Sequence, residues 1–143
     1  MTTIRIATAQ LWVHDQDVAL QWYTDKLGME VRTDVTVPEM GNFRWLTVGP
    51  TDQPEMSIVL MAIPGAPMLD DDTQKAVQDL MGKGLAGTVF LTTDDVHRAY
   101  AELSARGVEF IDAPMDMPYG IDSSFRDPSG NQVRLAQRTP NFG

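Results

Sequence analysis

Few side chains in this sequence have the types and spacing that covalent chemistry requires. The chain contains no cysteine, which excludes disulfides, thiolate metal ligands and cysteine nucleophiles. Its two histidines, His14 and His97, lie at a predicted strand-to-helix corner and within a predicted helix, so we do not expect a shared zinc site. No serine lies in a nucleophile-elbow sequence. These absences exclude cysteine chemistry and leave no support for a zinc site or a serine triad.

One glycine pattern resembles a nucleotide-binding motif. Residues Gly82 to Gly87 follow the G-x-G-x-x-G spacing, which binds dinucleotides when it joins a strand to a helix. Here it follows a predicted helix and precedes a predicted strand, so the order is reversed. We interpret this segment as a helix stop and a flexible joint.

Composition narrows the classes of partner. The chain has 143 residues, with 11 basic and 20 acidic side chains and a net charge of −9. Such an acidic chain is not expected to bind nucleic acid or an anionic membrane surface. The first residues lack the apolar core of a signal peptide, and the longest apolar stretch ends at Pro64. We therefore expect a cytoplasmic protein.

Hydrophobic patterns and turn residues predict an α+β domain in two halves. In the first half, Asp15 and Gly28 bound a helix, and strands are predicted at 4–13, 29–37, 43–48 and 56–63. A spacer at 64–86 contains a short helix over 72–81. In the second half, Asp94 and Asp95 open a helix that stops at Gly107, and strands are predicted at 88–93, 108–111, within 117–126 and at 132–137.

The two halves repeat each other with a period of about 80 residues. Val13-His14-Asp15 corresponds to Thr93-Asp94-Asp95, and Leu27-Gly28-Met29 corresponds to Arg106-Gly107-Val108. Each half reads β-α-β-β-β, so the order of elements indicates a duplicated unit.

Three motifs resemble the vicinal oxygen chelate superfamily, the group of glyoxalases, bleomycin-resistance proteins and extradiol dioxygenases. They are the helix ending Trp22-Tyr23…Leu27-Gly28, the strand from Phe43 to Val48, and Asp127-Pro128-Ser129-Gly130-Asn131 followed by Val133-Arg134-Leu135. The resemblance implies one domain over 1–143. Module 1 would span about 4–63, the spacer 64–86 and module 2 about 87–137, paired in a curved mixed sheet with helices outside. It also implies a homodimer.

Alternate residues of each strand point to opposite faces, which separates a helix-facing set from a ligand-facing set. The helix-facing set is apolar: Ala7, Ala9, Leu11, Val13, Ile58, Leu60, Val89, Leu91, Val133 and Leu135. The ligand-binding candidates are Thr8, Gln10, Trp12, Val59, Met61, Thr88, Phe90 and Arg134, together with the aromatic residues Trp45, Tyr119 and Phe125. A selective pocket needs such a mixture of apolar walls and polar groups.

Enzymes of the resembled superfamily hold a divalent metal through one residue on each of four strands. In this sequence those positions fall on Thr8, Val59, Thr88 and Arg134. A threonine hydroxyl is a weak ligand, valine has no ligating atom, and arginine repels a cation. We therefore expect no metal and no cofactor.

Arg134 needs an acceptor, either a carboxylate on a neighbouring strand or an anionic or carbonyl group of a ligand. No acid lies among the phased positions, which favours the ligand. The leading hypothesis is a metal-free protein that binds a small organic molecule, for sequestration or resistance. One alternative is a cofactor-independent isomerase or lyase acting on a carbonyl compound. Such an enzyme needs a general base in the cleft, which Asp34, Glu109 or Asp122 could supply from strands whose phase the pattern does not fix. Another, if the ligand alignment is different, is a metal-dependent glyoxalase or dioxygenase.

Overall fold

The chain forms two compact units, each with its own four-stranded sheet. The computed structural model describes residues 1–142. Unit 1 is Met1–Ala76, and unit 2 is the chain from Val77 onward. The boundary falls inside helix α2 (Asp71–Gly82), within the predicted spacer. The assignment of both modules to one domain stays a prediction.

Unit 1 has the predicted β-α-β-β-β order. Its elements are β1 (Thr8–Val13), α1 (Gln16–Asp25), β2 (Glu30–Val37), β3 (Phe43–Gly49) and β4 (Ser57–Ala62). The strand order is β1-β4-β3-β2, in which β1 and β4 are parallel and the other pairs are antiparallel.

Unit 2 repeats this topology. Its strands and helix are β5 (Thr88–Thr92), α3 (Val96–Ala105), β6 (Phe110–Met117), β7 (Gly120–Arg126) and β8 (Gln132–Arg138), followed by a short 3-10 helix, Pro140–Phe142. The strand order is β5-β8-β7-β6, with β5 and β8 parallel. The predicted α+β fold with two βαβββ modules is confirmed.

Helices α1 and α3 begin after the predicted capping residues and end one or two residues before the predicted ends. The Asp15 carboxylate accepts a hydrogen bond of 3.0 Å from the Val18 amide, and Asp95 accepts one of 3.0 Å from the Arg98 amide. Each bond satisfies an amide that has no partner within the helix. Gly28 (φ 68°) and Gly107 (φ 93°) follow the two helices in left-handed conformations that disfavour other residues.

Two strands differ from the prediction by more than two residues at one end. Strand β1 begins at Thr8 rather than at residue 4, and the preceding Ile4 and Ile6 are exposed. Strand β6 continues to Met117 instead of ending at residue 111, although it contains Pro114. Because β6 is an edge strand with a register shift between Asp112 and Met115, it tolerates a residue without an amide hydrogen.

The helix-facing sides of the sheets form the cores. In unit 1, Val13 and Leu60 are fully buried together with Tyr23 of α1. In unit 2, Val133 is fully buried with Phe125, which stacks edge-on against Phe110 at a centroid distance of 4.9 Å. Two predicted core residues are exposed: Ala7 precedes β1, and Ala9 lies on β1 at the edge of its sheet.

Helices α1 to α3 are short and mixed in polarity. Within residues 1–142 no helix combines the length and the apolar character that crossing a membrane requires.

Candidate ligand-binding site

A cavity of about 270 Å³ lies in unit 2, on the side of the sheet opposite the aromatic core. Strands β5, β7 and β8, the turn before β7 and the last 3-10 helix contribute its walls. The lining residues are Phe90, Leu91, Tyr119, Asp122, Arg134, Ala136, Arg138 and Phe142. The cavity therefore combines three aromatic rings with three charged side chains.

Strand register explains why these side chains meet. Phe90 lies directly opposite Arg134 in the β5–β8 pair, and Asp122 lies opposite Ala136 in the β7–β8 pair. Because side chains two residues apart share a face, Asp122 and Arg134 point to the same side of the sheet. The predicted Phe90 and Arg134 are thus brought together, and Tyr119 joins them from the turn that precedes β7.

Asp122 is the centre of a polar network on the cavity wall. Its Oδ2 atom accepts a hydrogen bond of 2.6 Å from the Tyr119 hydroxyl. The same atom accepts a bond of 3.1 Å from Nε of Arg134 and another from Nη2. The expectation that no acid lies beside Arg134 is therefore wrong, because the register of β7 places the Asp122 carboxylate on this face.

The network keeps Asp122 ionised. Asp122 is 4% exposed, and this burial raises the pKa of its carboxyl. The hydrogen bonds from Tyr119 and Arg134, together with the positive charge of Arg134, lower the pKa by more than burial raises it. The pKa of Asp122 is therefore below its usual value. The hydrogen bond to Asp122 also raises the pKa of Tyr119, so the hydroxyl remains protonated. A carboxylate stabilised in this way is a poor general base.

The aromatic part of the cavity is open to a ligand. Phe90 is 62% exposed, an unusual state for a large aromatic side chain on a sheet. Tyr119 and Phe142 approach each other with a centroid distance of 5.9 Å. The Thr139 amide donates a 2.9 Å hydrogen bond to the Tyr119 carbonyl, which holds the chain after β8 beside the cavity.

Five of the eight lining residues are not among the predicted ligand-binding residues: Leu91, Asp122, Ala136, Arg138 and Phe142. Leu91 belongs to the predicted helix-facing set, so its contact with the cavity departs from the prediction. Asp122 is predicted only as a residue that could enter the cleft. Because it lies two residues before Ser124, the cross-strand neighbour of Arg134, strand alternation puts it on the same face as Arg134. Arg138 lies four residues after Arg134, so strand alternation puts both side chains on the same face of β8. Phe142 lies beyond the last strand, and no pattern in the sequence predicts its contact.

The other predicted residues of unit 2 lie elsewhere. Phe125 is fully buried on the opposite side of the sheet, because its strand partner Val133 faces the helix. Thr88 lies at the start of β5, opposite Gln132 and exposed, and is not among the residues that line the cavity.

The predicted residues of unit 1 share one face of its sheet. Thr8, Gln10 and Trp12 lie opposite Ser57, Val59 and Met61, and Trp45 precedes Thr47, the antiparallel partner of Val59. Gln10 is exposed, Trp12, Trp45 and Met61 are half-buried, and Val59 is 3% exposed. The role of Thr8, Gln10, Trp12, Trp45, Val59 and Met61 in binding stays a prediction.

Comparison with known families agrees with this topology. The family model described as Glyoxalase/Bleomycin resistance protein/Dioxygenase superfamily matches residues 5–135. The chain belongs to this superfamily. The resemblance inferred from the helix ending at Gly28 and from the Asp127–Asn131 turn is therefore confirmed.

Relatives within the superfamily cover nearly the whole chain. YurT of Bacillus subtilis (strain 168) is 33% identical over 136 residues, which cover 94% of this chain and 100% of YurT. The crystal structure of UcmS2 is 40% identical, with a TM-score of 0.85, and the match covers 94% of this chain and 98% of UcmS2. TnmS3, an antibiotic binding protein from Streptomyces sp. CB03234, is 27% identical, with a TM-score of 0.72 and coverages of 97% and 99%.

The metal of superfamily enzymes does not fit the residues present here. The positions that the resemblance aligns with metal ligands carry Thr8, Val59, Thr88 and Arg134, and none of these side chains is a good cation ligand. Between residues 1 and 142, no three His, Cys, Asp or Glu side chains are grouped so that they could hold a metal ion.

Proposed function

We propose that this superfamily member binds a small organic molecule in the cavity of unit 2, without a metal, and acts by sequestration or in resistance. The observation that carries the proposal is the exposed Phe90 ring beside a polar network whose charges are already compensated. Apolar surface supplies affinity, and the fixed Tyr119–Asp122–Arg134 group orients the ligand.

Phe90 supplies the main apolar contact in this proposal. Covering apolar surface contributes about 25 cal/mol for each Å² removed from water, so a ring stacked on Phe90 is stabilised without any covalent step. The cavity volume of about 270 Å³ is close to the lower end of the range for small-molecule sites, roughly 300 Å³. The cavity therefore suits a small ligand or one part of a larger ligand.

Binding without turnover is a role found among the relatives. TnmS3 is described as an antibiotic binding protein, and the family name includes bleomycin resistance. We extend this role to the present chain as a proposal. The proposal also includes a cytoplasmic homodimer, because exposed edge strands such as β2 and β6 favour pairing with a second copy.

Native mass spectrometry of the chain purified from its own host tests the proposal. We expect an organic molecule to remain bound, and we expect Phe90→Ala to lose it while Val35→Ala, which alters an exposed side chain of unit 1, retains it. Equal retention by both variants would contradict the assigned location. Elemental analysis showing one tightly held transition metal per chain would contradict the metal-free part of the proposal.

A further inference from the structure

The cavity of unit 2 has an excess of positive charge. Its charged lining residues are Asp122, Arg134 and Arg138. Asp122 and Arg134 form an ion pair, and the Asp122 Oδ2 atom already accepts three hydrogen bonds. Because Asp122 neutralises Arg134 and has little remaining acceptor capacity, it does not also neutralise Arg138. Arg138 therefore gives the cavity wall a net positive charge.

Arg138 has no carboxylate partner in the part of the chain that the structure describes, residues 1–142. Ion pairs are made there by Arg32, Arg44, Arg98 and Arg134, among others, but none is made by Arg138. Nη1 of Arg138 makes a long hydrogen bond of 3.4 Å to the carbonyl of Phe142. Among the described residues, Asp94 also borders a neighbouring cavity with Arg138, but the two do not form an ion pair. A guanidinium has five N–H donors, so Arg138 retains donor capacity toward the cavity.

The surroundings of Arg138 leave its guanidinium accessible from the cavity. Its cross-strand neighbour is Gly120, which has no side chain to cover it. A Cβ atom at Gly120 would lie 2.1 Å from the Gln137 carbonyl oxygen, so a larger residue cannot be accommodated there without moving β8. Arg138 is half-buried and lines the same cavity as the aromatic side chains.

We infer that Arg138 recognises an anionic group of the ligand, and that the ligand is an organic anion whose apolar or aromatic part covers Phe90. This inference rests on the proposed function and specifies its ligand class. A guanidinium binds a carboxylate or a similar oxyanion through charge-assisted hydrogen bonds, which are stronger than neutral ones. Arg134 positions Asp122 and Tyr119, while Arg138 supplies the charge that distinguishes an anion from a neutral molecule.

Isothermal titration calorimetry with three matched probes tests the inference on the full chain. The probes are naphthoate, the neutral naphthamide and the cationic naphthylmethylammonium. We expect naphthoate to bind at least about tenfold more tightly than the other two probes. Arg138→Gln should remove most of this preference. Arg98→Gln, which makes the same change in charge on the exposed surface of α3, should leave naphthoate affinity unchanged.

Phe90→Ala separates this inference from the proposed function. If naphthoate and naphthamide bind equally and Phe90→Ala weakens both, the anion assignment is overturned while the cavity stands as a binding site. Unchanged naphthoate affinity in Arg138→Gln would also overturn the assignment. If none of the three probes binds saturably, both the ligand class and the proposed cavity function are contradicted. Circular dichroism of each variant confirms that the fold is retained.

Discussion

The two units share a backbone plan but carry different chemistry on equivalent strand positions. Gln10 pairs with Val59 in unit 1, as Phe90 pairs with Arg134 in unit 2. On the next strand, Thr47 pairs with Val59 and Ser124 pairs with Arg134. The duplicated topology therefore fixes where side chains meet, while the residues at those positions decide what the face can bind.

The arginines of the two units illustrate this difference. In unit 1, Arg44 makes two hydrogen bonds to Asp34, of 2.8 and 2.9 Å, and one of 2.7 Å to Asp17. This cluster joins α1 to β2 and β3 near the surface. In unit 2, Arg134 pairs with Asp122 on a cavity wall. The arginine cluster of unit 1 stabilises the fold, whereas Arg134 in unit 2 also shapes a site.

The largest expected effect distinguishes the two sides of the sheet in unit 2. Phe125→Ala should lower the free energy of unfolding by about 3–5 kcal/mol, because it leaves a cavity in a close-packed core. Phe90→Ala, which truncates an exposed ring, should lower it by less than about 0.5 kcal/mol. Urea denaturation measures both values. Similar losses for the two variants would contradict the assignment of Phe90 to an open cavity.

The second effect concerns the charge of Asp122. Asp122→Asn should lower the free energy of unfolding by about 1–3 kcal/mol at neutral pH, because Arg134 loses its charged acceptor. Exposed Asp116→Asn is the matched control.

The pH dependence of Asp122 has a defined sign. Its pKa is lower in the folded chain, so its contribution is present above the ordinary aspartate pKa of about 3.9 and is lost as the pH falls through the lower folded value. Urea denaturation over this acidic range should show a steeper loss for the parent chain than for Asp122→Asn. Parallel curves would show that the ion pair does not contribute to stability.

The third effect tests how far the duplication extends. Asp15→Ala and Asp95→Ala each remove a 3.0 Å capping bond, and each should cost about 1 kcal/mol of helix stability. Hydrogen exchange at the amides of α1 and α3 measures each effect locally. If protection of one helix falls strongly and that of the other does not change, the capping roles are not equivalent.

The smallest effect belongs to the cluster of unit 1. Arg44→Gln should cost about 0.5–1 kcal/mol, because its partners Asp17 and Asp34 are solvent-exposed. Urea denaturation at rising salt concentration should show this difference shrinking, since salt screens exposed ion pairs. A loss that does not depend on salt would indicate that Arg44 acts mainly through packing.

The sequence predicts the repeated module well because its signals are local. Asp15, Asp95, Gly28 and Gly107 each act within one helical turn, so their roles can be inferred without tertiary information. The extent of β6 is harder to predict, because an edge position and a register shift allow the strand to include Pro114.

The site is predicted in part, because its composition depends on register between strands. The face on which Phe90 and Arg134 lie can be predicted from residue alternation within each strand alone. The pairing of Asp122 with Arg134 is harder to predict, because it depends on the register of β7, which the preceding turn determines. The approach of Phe142 to Tyr119 depends on how the chain turns after β8, which has no periodic signal.

The central claim is that ligand recognition lies on the unit 2 face, and an amide NMR titration with naphthoate tests it most directly. We expect the largest chemical-shift changes at Phe90, at Tyr119 and Asp122, and along β8 from Arg134 to Arg138, with smaller changes at Gln10 and Val59. Saturable shifts confined to the face of unit 1, with unit 2 unchanged, would contradict the claim.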